Sequence, residues 1–207
     1  MANDTAQASV TVFGDMRSGN CWKVRWTLEL TATPYRWIET DIMQGASRTD
    51  EFLQMNPNGR VPLLQLADGR CLAESNAICW YLAETNEWLP KDRYDRASIL
   101  QWQCFEQYNH EPNIAVARFI RQFLAWPNDR VDEYHAKQAG GHQALAVMEQ
   151  HLSDQDWFVG DCLSLADVAL YAYTHVADEG GFSLHDYGAL RAWLARCAGA
   201  LPDIRNV

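Results

Sequence analysis

The stretch Asn56-Pro57-Asn58-Gly59-Arg60-Val61-Pro62-Leu63-Leu64-Gln65-Leu66-Ala67-Asp68-Gly69-Arg70-Cys71-Leu72-Ala73-Glu74-Ser75-Asn76-Ala77-Ile78-Cys79-Trp80-Tyr81-Leu82 holds two short apolar runs, a turn and the opening of a helix. Leu63 to Leu66 and Arg70 to Ala73 are strand candidates, and the Asp68-Gly69 pair between them is a hairpin signal. Pro62 stands just before the first strand, where a missing N–H is tolerated and a cis bond in a tight turn is one option. The backbone of Val61 is then left to pair with something other than the sheet. Ile78, Tyr81 and Leu82 recur at the spacing of one helix face, so Glu74-Ser75 opens a helix with Ser75 as its expected N-cap. A helix start attracts a carboxylate, and Glu74 beside it attracts an ammonium. A ligand carrying both groups on one carbon suits the pair.

Working outward, Val10 to Phe13 reads as a strand ended by Gly14. A loop from Asp15 to Asn20 leads into a helix of about ten residues marked by Cys21, Val24, Trp26, Leu28 and Leu30. Thr33-Pro34 breaks it, Tyr35 to Thr40 alternates as a second strand, and Arg48 to Gln54 forms a short helix. The order is β-α-β-α-β-β-α, with a parallel crossover first and the hairpin as an antiparallel edge. Residues 1–8 read as a loose tail, 9–85 as an α/β domain, 86–94 as a linker and 95–207 as an all-helical domain. In the last of these, Ala97, Leu100, Cys104 and Tyr108 follow helical spacing, Trp126-Pro127-Asn128 is a break, and Val131 to Leu152 is amphipathic. Ser164-Leu165-Ala166-Asp167 forms a capping box, flanked by Leu163 and Val168 as a hydrophobic staple. A last helix runs from about Tyr187 to Cys197.

Composition bounds the function. The net charge of −10 argues against nucleic acid or an anionic membrane surface as partner, because both demand clustered Lys and Arg. Residues 1–80 carry 7 Lys/Arg against 9 Asp/Glu, and the rest carry 10 against 18, so the first half is the easier place for an anionic ligand. Six cysteines without a two-residue spacing, and no signal-like start, suggest a reduced, cytoplasmic setting. No run reaches the length of a membrane span. The histidines lack ligand spacing, so no metal site is expected.

Arg60-Val61-Pro62, then Asp68-Gly69, then Glu74-Ser75-Asn76-Ala77-Ile78, resembles the glutathione-binding half of the cytosolic glutathione S-transferase superfamily, of the bacterial, serine-dependent, theta/beta-like type. The Gly160-Asp161-x-x-Ser164-x-Ala166-Asp167 run is similar to the box that opens a core helix in the same family, where its role is folding. The resemblance implies an α/β N-terminal thioredoxin-like domain plus an all-α C-terminal helical-bundle domain. It implies that Val61, ahead of Pro62, pairs with the cysteinyl peptide of glutathione, that Glu74 and Ser75 hold the γ-glutamyl group, and that Arg60 and Gln44 serve the glycine end. In such a domain the reactive position is the start of the first helix, here Ser18-Gly19-Asn20-Cys21. Ser18 takes the place of the exposed cysteine of redox relatives, so the nucleophilic sulfur comes from the ligand.

Ser18 is therefore the expected donor to the glutathione sulfur, with Asn20 the second candidate. A plain N-cap is the competing role for Ser18. Cys21, one turn into the helix, is expected to be buried and inert, and Arg17, Lys23 and Arg25 read as surface charges. A small hydrophobic electrophile would lie in a cleft between the domains, and Met16, Tyr108, His110 and Ile114 are candidates by placement. The resemblance implies a detoxifying transferase that works as a homodimer, uses glutathione as substrate and needs no other cofactor. A glutathione-dependent peroxidase, disulfide reductase or isomerase of the same fold stays open, as does a non-catalytic binding module.

Overall fold

Strand β1 (Val10–Gly14) alternates buried and half-buried residues, as a strand covered more closely on one face does. It belongs to a computed structural model that describes residues 10–86, 88–124 and 126–204. The tail expected over residues 1–8 lies outside the described residues. On one side β1 pairs in parallel with β2 (Tyr35–Glu39), and on the other it pairs antiparallel with β3 (Leu63–Leu66), which carries β4 (Cys71–Ala73) on the far edge. The sheet order is β2-β1-β3-β4. Val12 sits opposite Trp37 and Leu64.

The hairpin closes where Asp-Gly placed it. Gly69 takes φ +86°, its N–H donates to the Leu66 carbonyl at 3.0 Å, and the Asp68 carboxylate accepts the Arg70 N–H at 3.0 Å. A positive φ is cheap for glycine, which fits it to this turn. The crossover from β1 to β2 is helix α1 (Gly19–Leu30), and α3 (Ser75–Ala83) packs against it. Val12, Val24, Leu28, Leu63, Leu64 and Ile78 are fully enclosed, and each such side chain stabilises the fold by roughly 1.5–3 kcal/mol. The short helix α2 (Asp50–Met55) starts two residues later than Arg48 because the Thr49 hydroxyl accepts the Phe52 N–H and caps it. Two single 3-10 turns, Ile42–Gln44 and Ala46–Arg48, precede it.

The chain divides into two compact units, Met1–Trp88 with Pro202–Val207, and Leu89–Leu201. Indoles tie the first unit together: Trp26 Nε1 donates to the Pro202 carbonyl at 3.1 Å and Trp88 Nε1 to the Leu30 carbonyl at 2.8 Å. The second unit is helical, with α4 (Arg93–Phe105), α5 (Glu111–Gln122), α6 (Val131–Leu152), α7 (Leu165–Thr174) and α8 (Gly188–Ala200). A π-helical turn, Glu106–His110, joins α4 to α5. Every residue of α7 is buried, and α4, α5 and α8 pack around it. Gly141 lets α6 approach, since a Cβ there would lie 2.3 Å from the Phe182 ring.

The capping box forms as expected. The Ser164 hydroxyl accepts the Ala166 N–H at 3.2 Å and the Asp167 carboxylate reaches back to the Ser164 N–H at 2.9 Å. That carboxylate is fully buried and also accepts the Ser164 hydroxyl at 2.6 Å, the Phe158 N–H at 3.1 Å and Trp193 Nε1 at 2.9 Å. Burial pushes its carboxyl above the ordinary carboxylate range, and these donors pull against the shift.

Helix α4 forms where its spacing implied. Ala97, Leu100, Cys104 and Tyr108 have helical spacing but are all exposed, and Ile99, Trp102, Gln103 and Glu106 face inward instead. Both stripes recur every three to four residues, and packing against α7 selects the second. No helix among the described residues is long and apolar enough to cross a membrane.

Candidate functional site

Ser18 ends the loop that leaves β1 and stands at the N-cap position of α1 with extended backbone, φ −90° and ψ 124°. Its hydroxyl makes no capping bond, so the plain N-cap role does not occupy it. Its backbone is held at both ends: the Ser18 N–H donates to the Asp15 carbonyl at 2.9 Å, and its carbonyl accepts the N–H groups of Cys21 and Trp22 at 3.0 and 3.1 Å. Cys21 has no exposed surface. Burial pushes its thiol up to about 12, although the Asp15 N–H and the Ser18 hydroxyl pull the other way. At neutral pH only about one thiol in 10⁵ would then be ionised, too few for a nucleophile.

Two residues further on, the side-chain amide oxygen Oδ1 of Asn20 accepts the Ser75 hydroxyl at 3.2 Å. This bond spans 55 positions of sequence and brings the start of α1 to the start of α3. Ser75 is buried and is the first residue of α3, not its N-cap; Glu74 takes that place, with φ +70° and ψ 111°. The correction has a physical cause. The left-handed φ at Glu74 turns the chain sharply, so the Ser75 hydroxyl points at Asn20 instead of back along its own helix. A non-glycine residue held there costs about 1–3 kcal/mol, and such strain clusters at ligand sites. The Glu74 side chain is exposed.

The β-ladder stops at Leu63, opposite Phe13 and Ala73, so Val61 lies outside it. The Val61–Pro62 bond is cis. Buried Asn56 holds the approach to it, donating from Nδ2 to the Arg60 carbonyl at 2.8 Å and accepting the Asn58 N–H at 3.2 Å. Arg60 itself is exposed, as is Gln44 in the turn capped by Asp41.

The residues named for the second substrate differ in exposure. Met16 is half-buried and pinned, with its N–H on Glu39 at 3.1 Å and its carbonyl on Trp22 Nε1 at 2.7 Å. Tyr108 is 84% exposed, whereas His110 and Ile114 have no exposed surface. His110 Nε2 is bonded to the Thr174 hydroxyl at 2.8 Å. His110 and Ile114 are thus core positions of the helical unit: a side chain without accessible surface has nothing to offer a ligand.

Of the three cations read as surface charges, two are buried and the third is paired. Lys23 is fully buried, Arg25 nearly so with its guanidinium 5.6 Å from the Trp37 ring centroid, and Arg17 is bound to Asp15 and Asp41. Asp15, which the sequence reading passed over, is fully buried. Burial pushes its carboxyl up, but bonds from Arg17 and from the Ile42 N–H outweigh this and leave it below its ordinary value. The Asp15-x-Arg17 pair directly after a strand was the available signal, since neighbouring opposite charges in a tight loop can bond locally. Nothing local pointed to Asp41.

Residues 17–85 match the family described as glutathione S-transferase, N-terminal domain, and residues 131–196 match glutathione S-transferase, C-terminal domain. The chain is similar to maleylacetoacetate isomerase of Pseudomonas aeruginosa, 33% identical over 200 residues that span 92% of this chain and 91% of that protein. It is 28% identical over 192 residues to a disulfide-bond oxidoreductase of Escherichia coli, spanning 86% and 85% of the two. Among solved structures it is similar to a glutathione S-transferase from Pseudomonas fluorescens, with a TM-score of 0.88 and 50% identity over 91% of this chain and 94% of that one.

Proposed function

This chain belongs to the glutathione S-transferase family, and from that premise we propose that it binds glutathione and transfers its thiolate to small hydrophobic electrophiles. The observation that carries the reading is the Ser75–Asn20 hydrogen bond. It joins the helix end suited to a thiolate to the corner suited to an α-amino acid head, so one small molecule can meet both. In this assignment the Ser18 hydroxyl donates to the sulfur, and the dipole of α1 adds to the effect. Asn20 supports that end of the site. Ser75 and the start of α3 take the γ-glutamyl carboxylate, and Glu74 takes the ammonium. The Val61 backbone pairs with the cysteinyl peptide, while Arg60 and Gln44 meet the glycine carboxylate. The thiol proton passes to solvent, the sulfur forms a bond to the electrophilic carbon, and a leaving group departs where there is one. No other cofactor enters.

The same thiolate can serve a second reaction. The likeness to an isomerase and to a disulfide oxidoreductase supports testing isomerisation and mixed-disulfide reduction beside conjugation. Calorimetry should give glutathione binding in the range of about 1 μM to 1 mM. An aryl halide, a cis-enoyl diketo acid and a mixed disulfide should then rank the three reactions. Absence of any heat of binding would leave only the non-catalytic module.

The exposed stripe of α4 and the π-helical turn after it, with Leu100 at 53% and Tyr108 at 84% accessibility, supports a homodimer, since apolar surface of this kind favours burial against a partner. Leu100→Lys is expected to shift the sedimenting species from twice the chain mass to the chain mass. An unchanged dimer would move the interface elsewhere.

A further inference from the structure

Asp15 is a carboxylate with no access to solvent at the junction of β1 and α1. Arg17 donates to it three times, from its backbone N–H and Nε at 2.9 Å each and from Nη2 at 2.7 Å. The same Nη2 also donates to Asp41. Asp41 in turn accepts the N–H groups of Met43 at 2.9 Å and Gln44 at 3.3 Å, while the second Asp15 oxygen takes the Ile42 N–H at 3.2 Å. One guanidinium therefore ties two loops 24 residues apart. The first presents Ser18, whose N–H rests on the Asp15 carbonyl at 2.9 Å. The second presents Gln44. With two carboxylates on it, the guanidinium is already charge-compensated. It acts as a tie between loops, not as a ligand for a further anion.

We propose that Arg17, through Asp15 and Asp41, is a positioning residue that fixes the spacing between the sulfur end and the glycine end of the glutathione site, and so lets the protein distinguish the tripeptide from γ-glutamylcysteine. The proposal rests on the glutathione reading above. A planar fork bridging two carboxylates sets distance and direction together, which a point charge cannot do. If the tie is cut, the Gln44 turn is no longer registered to the Ser18 loop. A misplacement of about 1 Å is enough to weaken contacts severely. The loss falls on the part of the ligand that only the second loop touches.

The test is calorimetric binding of glutathione and γ-glutamylcysteine to the wild type, Arg17→Gln, Arg17→Lys and Arg70→Gln. Arg70 serves as control because its pair with Asp68 is exposed on the hairpin. The wild type should prefer glutathione, and Arg17→Gln should reduce that preference about fivefold or more. Arg17→Lys should restore little of it, and Arg70→Gln should leave it unchanged. A general loosening would weaken both ligands alike, so the ratio separates positioning from mere destabilisation. Where Arg17→Gln does not fold, Asp41→Asn, which retains an oxygen to cap Met43 and Gln44, should lower the ratio in the same direction. An unchanged ratio in folded variants overturns the proposal while leaving the glutathione reading intact. A wild type that binds neither ligand overturns both.

Discussion

Ser18→Ala is expected to lower turnover with a model electrophile at least tenfold, or about 1.4 kcal/mol, while glutathione still binds. A free thiol has a pKa of about 8.5, and bringing it down two units takes roughly 2.7 kcal/mol of preference for the thiolate. Two sources act at the start of α1. One is the Ser18 hydroxyl, which is engaged by the Cys21 thiol and not by a helix cap, and a hydrogen bond to an ionised acceptor is worth about 1.5–3 kcal/mol. The other is the helix end, which the alanine variant keeps. The loss should therefore be partial and should fall on kcat more than on KM. The bound thiol should titrate at higher pH, followed by its ultraviolet thiolate absorbance. Cys21 cannot stand in, because burial keeps its thiol protonated near neutrality. A variant with an unaltered titration of bound glutathione would remove Ser18 from the mechanism and turn attention to Asn20.

The second large effect concerns stability. Asp167→Ala is expected to cost about 3–5 kcal/mol, at the far end of what single substitutions do. The carboxylate is the common acceptor for the Ser164 N–H, the Phe158 N–H and Trp193 Nε1, all within 3.1 Å. Alanine leaves these donors facing one another in a dry place, and each unsatisfied buried donor costs roughly 1–3 kcal/mol. Asp167→Asn should be milder, about 1–2 kcal/mol. Its amide oxygen can still accept from Phe158 and Trp193, and its amide nitrogen can donate to the Ser164 hydroxyl oxygen, so the losses are confined to the Ser164 N–H and hydroxyl proton, which shared the replaced oxygen. Urea midpoints followed by far-ultraviolet dichroism measure both variants. Equal losses for alanine and asparagine would mean that charge, and not the number of satisfied donors, carries the effect.

The segments that were legible in advance share a short range. The hairpin needs only Asp68-Gly69 and its flanking apolar runs, the box at Ser164 needs four residues, and α6 spans Val131–Leu152 as its periodicity implied. Where the reading failed, the deciding atom lay far along the chain. Ser75 looks like an N-cap until Asn20, 55 positions away, accepts its hydroxyl. Arg17 looks solvated until Asp41 meets it. On α4 two stripes satisfied the same spacing, and neither could be preferred without the helix that packs against one of them. His110 and Ile114 looked placed for a pocket, yet the helical core closes over both.

By itself, then, the order of residues determined which segments become strands and helices, and the thioredoxin-like and helical character of the two halves. Those depend on backbone preferences, turn chemistry and period, which act between neighbours. Only the tertiary structure decided which side chains meet: Asn20 with Ser75, Arg17 with both Asp15 and Asp41, Lys23 and Arg25 inside instead of out. Burial and hydrogen bonding across tens of residues are properties of the packed chain, and local preferences carry no term for them.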